Sequence, residues 1–173
     1  MYIEFLIVIL NYFKTLKGRS TIVAYEWILP LVIASVCVYC GDFRDSKLLI
    51  TFKDSSINVI GVLLGFSIAV ITIITTGSSE NLDGIKKWET EIEIKNRKIS
   101  LYSLLLINFT YSVILEVILI ISCLTLPLIN QIFHFGHNTK LILYSVMVFI
   151  VLHILLLNLR NISDFYFTVN KNT

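Results

Sequence analysis

The sequence is poor in charged residues, which make up only 15% of its 173 positions, and it contains two prolines and three cysteines. Soluble proteins carry about 25% charged and about 45–50% apolar residues. Here 56% of the residues are hydrophobic and mean hydropathy is +0.82. The composition excludes an ordinary soluble domain, and the net charge of +2 is too small to imply a nucleic-acid partner.

Sequence motifs for enzymatic chemistry are also missing. The chain has no glycine-rich phosphate loop, no HExxH metal motif and no nucleophile elbow. Cys37 and Cys40 form a CxxC pair, but no second pair or other ligand set completes a metal site. We therefore predict no catalytic residues, no metal and no cofactor, and expect a protein that is not an enzyme.

Long apolar stretches dominate what is present. A helix needs about 20 apolar residues to cross a hydrocarbon core of about 30 Å. Since these runs do not alternate as barrel strands do, helices are predicted. The prediction is an all-α polytopic membrane protein with a four-helix transmembrane bundle over 22–159, whose spans are 22–40, 57–77, 101–129 and 141–159.

The segments outside these spans are polar or amphipathic. Residues 1–21 begin with a short apolar run and continue with basic residues, the pattern of an N-terminal interfacial helix with Tyr12 at headgroup depth. Residues 78–100 form a charged segment between the second and third spans, and 160–173 form a polar tail.

Lysine and arginine are distributed unevenly between the two sides of the bundle. Ten of the 14 lie on the side that holds both termini and residues 78–100, and four lie on the other side. Because basic segments stay in the cytoplasm, both termini are predicted there. We expect a multi-pass protein of the bacterial inner membrane that contacts membrane lipids.

The second span carries a stripe of small residues, Gly61, Gly65 and Ala69, at four-residue spacing. In lipid the hydrophobic effect does not drive helix pairing, so such stripes favour close backbone approach and van der Waals contact. The stripe predicts a packing seam. Its partner is either another helix of the same chain or a second copy in a homo-oligomer, and the sequence leaves both open.

Glu116 lies near the middle of the third apolar run, where an unpaired carboxylate is costly. The fourth span offers His153, at about its middle, as a partner. The hypothesis is a buried polar pair of Glu116 and His153. Two alternatives remain for its role: a clasp that fixes the bundle, or part of a gate, proton path or ion-sensitive switch.

Residues 78–100 contain an apolar face at helical spacing, formed by Ile85, Trp88 and Ile92 with glutamates and lysines around it. This pattern predicts an amphipathic extension of the third helix. The face either rests on the membrane or forms a docking surface for a soluble cytoplasmic partner.

The order of these features resembles small membrane subunits of bacterial anti-phage systems, namely KwaA of the Kiwa system and, more loosely, RexB of the lambda Rex system. The resemblance covers roughly residues 25–165, and this chain has a longer N-terminal segment and a longer 78–100 segment. The residues that carry it are Pro30-Leu-Val-Ile-Ala-Ser-Val-Cys37, Thr76-Gly-Ser, Glu116, Cys123, His153, Asn158, Arg160 and Asn161.

The resemblance implies a homo-oligomeric inner-membrane protein that works with a soluble cytoplasmic partner. By likeness to KwaA, the chain is expected to be a sensor or scaffold that responds to phage-induced membrane disturbance. By likeness to RexB, the alternative is an ion channel that depolarises the membrane. A third hypothesis, from the residues alone, is an accessory subunit of a transport or secretion complex.

Overall fold

The structure, a computed structural model, describes residues 2–40, 46–77, 80–94 and 97–170. Within these ranges the chain is mostly helical, with one antiparallel pair of strands. The strands are β1 (Glu89–Ile94) and β2 (Arg97–Ser100). The helices are α1 (Tyr2–Thr15), α2 (Ser20–Val23), a π-helical turn (Ala24–Ile28), α3 (Leu29–Cys40), α4 (Ser46–Thr76), α5 (Glu80–Lys87), α6 (Leu101–Phe133) and α7 (His137–Asn170).

Four helical segments are long and apolar enough to cross a membrane by length and composition. They overlap the four predicted spans, and the all-α prediction is confirmed. In chain order we call them the first to fourth span; they are Ser20–Cys37, Ile50–Thr76, Leu101–Phe133 and Asn138–Thr168.

The helices that carry the last three spans are longer than the apolar runs that predicted them. α4, α6 and α7 have 31, 33 and 34 residues, which makes each about 46–51 Å long at 1.5 Å per residue. A hydrocarbon core is about 30 Å thick. These helices therefore tilt in a membrane or project beyond it, and the polar residues that follow the fourth apolar run remain part of α7.

α6 lies between several other helices. It packs against α4, α7 and α1, while α7 packs in turn against α3. Buried apolar clusters centred on Phe109, Leu119 and Tyr111 fill these contacts. Because α7 is covered by α6 on one side and α3 on another, side chains on two different faces of α7 are buried.

The described residues 80–94 and 97–100 do not extend the third helix, and that prediction is wrong. α5 ends at Lys87, and β1 then pairs with β2 in a hairpin with Ile94 opposite Arg97. The segment Glu89-Thr-Glu-Ile-Glu-Ile94 alternates between exposed and half-buried residues, the period-two pattern of a strand. The positions of the isoleucines alone fit either a helix or a strand. The glutamates at every second position indicate the strand.

Three basic side chains lie together at one end of the bundle. Lys14, in the last turn of α1, and Lys17 and Arg19, just after it, border a cleft whose other wall is β1. Arg19 also shares a second cleft with Asp164 near the end of α7. We call this the basic end of the bundle, and the end near Lys53 and Lys140 the opposite end.

Candidate functional site

A buried ion pair links the first span to the fourth. Glu26 lies in the π-helical turn and its side chain is fully buried. Its Oε1 lies 2.9 Å from Nε of Arg160, whose side chain is 11% exposed. The N–H direction of Arg160 is not aligned for a hydrogen bond, so this contact is an ion pair. A π-helical turn inserts one extra residue into a helix and recurs at functional sites.

The same carboxylate anchors α1. The hydroxyl of Tyr12 donates a 2.7 Å hydrogen bond to Oε2 of Glu26. The Tyr12 ring stacks on Tyr111 at 3.6 Å between centroids, and the guanidinium of Arg160 lies 6.0 Å from its centre. Tyr12 is therefore buried inside the protein and does not face lipid, while its depth relative to the headgroups stays a prediction.

Burial raises the pKa of Tyr12 above its usual range, and the negative charge of Glu26 and their hydrogen bond act in the same direction. The phenol therefore remains protonated over the whole physiological range. It can serve as a permanent hydrogen-bond donor to the carboxylate.

His153 contacts the backbone of this turn. Its Nδ1 lies 2.6 Å from the carbonyl oxygen of Glu26, and since a carbonyl only accepts, Nδ1 carries the proton. Its Nε2 lies 3.4 Å from the hydroxyl of Tyr111. The ring also lies against Trp27 and Phe149, at 4.4 and 6.1 Å between centroids. His153 thus fixes the π-helical turn against α7.

Glu116 belongs to a second buried cluster. Its Oε1 accepts hydrogen bonds from Asn158 Nδ2 at 2.8 Å and from Ser112 Oγ at 3.0 Å, with Ser67 Oγ at 3.4 Å. Asn158 also donates to Ser112 and accepts from Ser67. The cluster joins the second, third and fourth spans.

The predicted contact between Glu116 and His153 does not form. Both residues are buried, at 0% and 2% exposure, but each bonds to other groups. Asn158 follows His153 by five positions, and at about 100° per residue the two project about 140° apart on α7. His153 therefore meets the π-helical turn, while Asn158 meets Glu116.

The two clusters lie on different faces of α7, and we call their buried polar side chains together the polar track. Asn161 is fully buried, and neither its Oδ1 nor its Nδ2 has a hydrogen-bond partner within the described part of the chain. The same holds for both terminal nitrogens of Arg160. Buried polar groups are normally paired, so this end of the track retains unused hydrogen-bonding capacity.

The small-residue stripe of the second span faces outward. Gly61, Gly65 and Ala69 are exposed, and a Cβ added to either glycine meets no atom within 4 Å among the described residues. The stripe lies opposite the buried face of α4, which includes Ile60 and Val70. Of the two alternatives left open by the sequence, the intrachain seam is wrong, and the intermolecular one stays a prediction.

The predicted docking face is divided by the hairpin. Ile85 is 2% exposed and belongs to the buried cluster around Phe109. Trp88 is half-buried after α5, and Ile92 is half-buried on β1. These three residues do not form one exposed helical face, so the predicted helical docking face is wrong.

The part of the chain with described side chains contains no group of three or more His, Cys, Asp or Glu side chains placed to hold a metal. The side chain of Cys40, half of the CxxC pair, lies outside the described set. Comparisons with protein-family models, with curated proteins and with solved structures find no match to this chain.

Glu26, Tyr12 and Arg160 are functional candidates that the sequence prediction did not assign to a site. Glu26 is as anomalous in an apolar run as Glu116, and that signal was available. The position of Arg160 just past the fourth apolar run made it resemble an ordinary flanking residue. Its partner became apparent only once α7 was known to continue.

Proposed function

We propose that this chain is a non-enzymatic sensor or scaffold subunit of an anti-phage defence system in the bacterial inner membrane. It self-associates and engages a soluble partner at the basic end, which faces the cytoplasm. The defence role rests on the resemblance carried by Glu116, Cys123 and His153, and the sensing role rests on the polar track. The observation that carries the proposal is the buried pair of Glu26 and Arg160.

A buried ion pair between helices carries a large desolvation cost. Removing two charges from water costs several kcal/mol per ion, and the attraction between them offsets this only with good geometry. Here the carboxylate contacts both α1 and α7, and three nitrogen atoms of Arg160 lack hydrogen-bond partners within the described residues. A pair with unused bonding capacity is suited to exchange partners or to admit water when the spans shift.

The position of the pair makes it sensitive to the membrane. Glu26 is held between helices whose outward faces are apolar, including Leu31 at 57% and Leu159 at 54% exposure. A change in thickness or tension acts on those faces and so on the tilt of the spans. Movement of the first span against α7 would separate the charges and release Tyr12, and with it α1, at the basic end.

The same geometry weakens the alternative of an ion channel. Glu116, the acidic residue of the third span, is fully buried and hydrogen-bonded to side chains of its own chain. In that position it does not line a pore between subunits. Ion pathways use polar or charged side chains that face a water-filled lumen.

The shape of the basic end supports a binding surface for a soluble partner there. The cleft between the C-terminal end of α1, with the residues after it, and strand β1 has a volume of about 720 Å³. Lys14, Lys17 and Arg19 border one wall, and Glu91 and Glu93 border the other. A release of α1 changes this cleft directly, which couples the ion pair to the partner site.

The proposal is tested in cells that express the chain alone or with the soluble product of an adjacent gene. A potential-sensitive dye reports depolarisation, and the efficiency of plating of a phage panel reports defence. We expect no depolarisation from the chain alone, and protection only when both proteins are present. Glu26→Gln should abolish protection while leaving the chain in the membrane, and the exposed control Glu4→Gln should not.

Depolarisation by the chain alone, removed by Glu116→Gln, would overturn the proposal in favour of a channel. Protection that survives Glu26→Gln would remove the ion pair from the mechanism. An adjacent set of transporter genes, with no effect on phage, would favour an accessory transport subunit.

A further inference from the structure

A cavity of about 390 Å³ lies at the opposite end of the bundle, between α4, α6 and α7. It is bordered mainly by apolar side chains, and its floor is the contact between the sulfur atoms of Cys123 and Met147 at 3.8 Å. Ligand pockets have volumes of about 300–1,000 Å³ and are mostly apolar with a few polar groups. Its apolar lining includes Ile50, Leu126, Pro127, Phe135, Leu143 and Met147.

Two lysines border the cavity. The side chain of Lys53 is 28% exposed, and Lys140 is exposed at the start of α7. Lys53 lies 3.3 Å from the carboxylate of Asp54, which is 60% exposed and well hydrated, so this pair is weak. Long lysine side chains lay their stems along apolar surface and hold the ammonium group at the polar boundary. The cavity therefore presents two positive charges at its rim.

An unpaired hydrogen-bond acceptor completes the site. Oδ1 of Asn130 is buried without a hydrogen-bond partner in the described part of the chain, and Asn130 borders the cavity. Pro127 lies inside α6 and has no N–H, so it cannot donate to the carbonyl of Cys123 as a regular helix would. Pro127 and Cys123 both line the cavity. An occupant with a hydroxyl group satisfies the unpaired Oδ1 of Asn130.

The cavity also lies near the ends of three of the spans. Lys53 is near the start of the second span, Lys140 is near the start of the fourth, and Pro127 is near the end of the third. All three positions are therefore close to one boundary of the hydrocarbon core. A site with an apolar interior and a cationic rim at this depth matches a molecule that has an acyl chain and an anionic head.

We propose that this cavity binds one anionic phospholipid whose headgroup carries a free hydroxyl, such as phosphatidylglycerol. One acyl chain fills the apolar interior, the phosphate lies between Lys53 and Lys140, and the headgroup hydroxyl donates to Oδ1 of Asn130. The charge of the rim selects an anionic over a zwitterionic lipid. This inference is independent of the proposed defence function.

The test uses the full chain in a nonionic detergent, with native mass spectrometry to count bound lipids. Dioleoyl phosphatidylglycerol is compared with dioleoyl phosphatidylcholine, dioleoyl phosphatidic acid, oleate and glycerol phosphate. We expect one tightly bound phosphatidylglycerol per chain. Phosphatidylcholine and oleate should bind more weakly, and glycerol phosphate, which lacks acyl chains, should not bind.

Variants test the roles of the two lysines, the apolar interior and Asn130 one at a time. Lys53→Gln with Lys140→Gln should weaken phosphatidylglycerol binding by about thirtyfold, the effect of two lysines near an anionic surface. Lys14→Gln with Lys17→Gln removes the same charge at the basic end and should leave this binding unchanged. Leu143→Trp should block the cavity, and Asn130→Leu should remove the preference for phosphatidylglycerol over phosphatidic acid.

Several results would overturn the proposal. Equal binding of phosphatidylcholine and phosphatidylglycerol would exclude selection by the lysines. If Lys14→Gln with Lys17→Gln weakened phosphatidylglycerol binding as much as Lys53→Gln with Lys140→Gln, the lipid would bind by net charge alone. Unchanged binding in the Leu143→Trp variant, with the protein still folded by circular dichroism, would mean that the cavity is not the site.

Discussion

Glu26 and Arg160, from the first and fourth spans, meet at 2.9 Å inside the bundle, where the carboxylate is fully buried and the guanidinium nearly so. The contact joins two spans that are far apart in the sequence. It also reaches α1, because the other carboxylate oxygen accepts the hydrogen bond of Tyr12. Three elements therefore depend on one ion pair, and breaking it should affect all of them.

Glu26→Gln should lower the free energy of unfolding by about 3–5 kcal/mol, because it leaves the charge of Arg160 buried and unpaired. Arg160→Gln should have an effect of similar size for the same reason. The double variant should be more stable than the sum of the two effects implies, since neither charge remains. The measurement is reversible unfolding in detergent followed by circular dichroism, with the exposed Glu4→Gln as control. Additive effects in the double variant would contradict the ion pair.

Tyr12 should make the stability of the protein depend on pH in the alkaline range. An unfolded tyrosine ionises near pH 10, whereas burial and Glu26 raise the pKa of Tyr12 in the folded protein. The folded state then binds more protons than the unfolded state above about pH 10, so stability falls as pH rises through that range. Below it the contribution of Tyr12 is fully present.

Tyr12→Phe tests this dependence. At about pH 8 the variant should be less stable than the wild type by about 1.5–3 kcal/mol, because it loses a hydrogen bond to a charged group. Between about pH 9 and pH 11 its stability should fall less steeply. Tyr39, which is 93% exposed, provides the matched control Tyr39→Phe. Identical slopes for Tyr12→Phe and the wild type would mean that Tyr12 is not buried.

The order of apolar runs predicted the four spans because the requirement to satisfy the backbone in lipid leaves helices as the solution for chains of this kind. The same reasoning did not find where the helices end. Helix α7 continues well past the apolar run that ends near Leu159, and there Asn161 is fully buried and Arg160 nearly so. Hydropathy reports on contact with lipid and does not report on contact between helices.

The hydrogen-bond partners of Glu116 and His153 were harder to predict than their burial. The apolar context of Glu116 and His153 correctly indicated that both are buried, because exposure of either to lipid is unfavourable. Which groups they contact depends on how each helix is rotated, and a rotation of 140° on α7 separates His153 from Asn158. The rotation of each helix within the bundle cannot be read from a single sequence.

A double-mutant cycle should distinguish these partners. Glu116 and Asn158 share a hydrogen bond of 2.8 Å, so Glu116→Leu and Asn158→Leu should show a coupling energy of about 0.5–3 kcal/mol. The cycle of Glu116→Leu with His153→Leu should show a smaller coupling, since no hydrogen bond joins that pair. A larger coupling to His153 than to Asn158 would restore the pairing expected from the sequence.

Gly65→Leu should disrupt self-association without unfolding the chain. A Cβ at Gly65 meets nothing within 4 Å among the described residues, so the substitution adds no clash inside the monomer. Leucine is also a better helix former than glycine by about 0.8–1 kcal/mol, so the monomer should be no less stable. In a seam between copies, however, the added side chain separates two backbones that small residues allow to approach closely.

The measurement is sedimentation equilibrium in density-matched detergent, with Thr125→Leu as the matched control. Thr125 is exposed on α6, away from the stripe, so added bulk there should leave the oligomer intact. Because the chain itself tolerates the change, loss of the oligomer in Gly65→Leu with an unchanged unfolding transition would identify the stripe as the contact between copies. An oligomer that survives Gly65→Leu would mean that the outward stripe faces lipid and that self-association uses another surface.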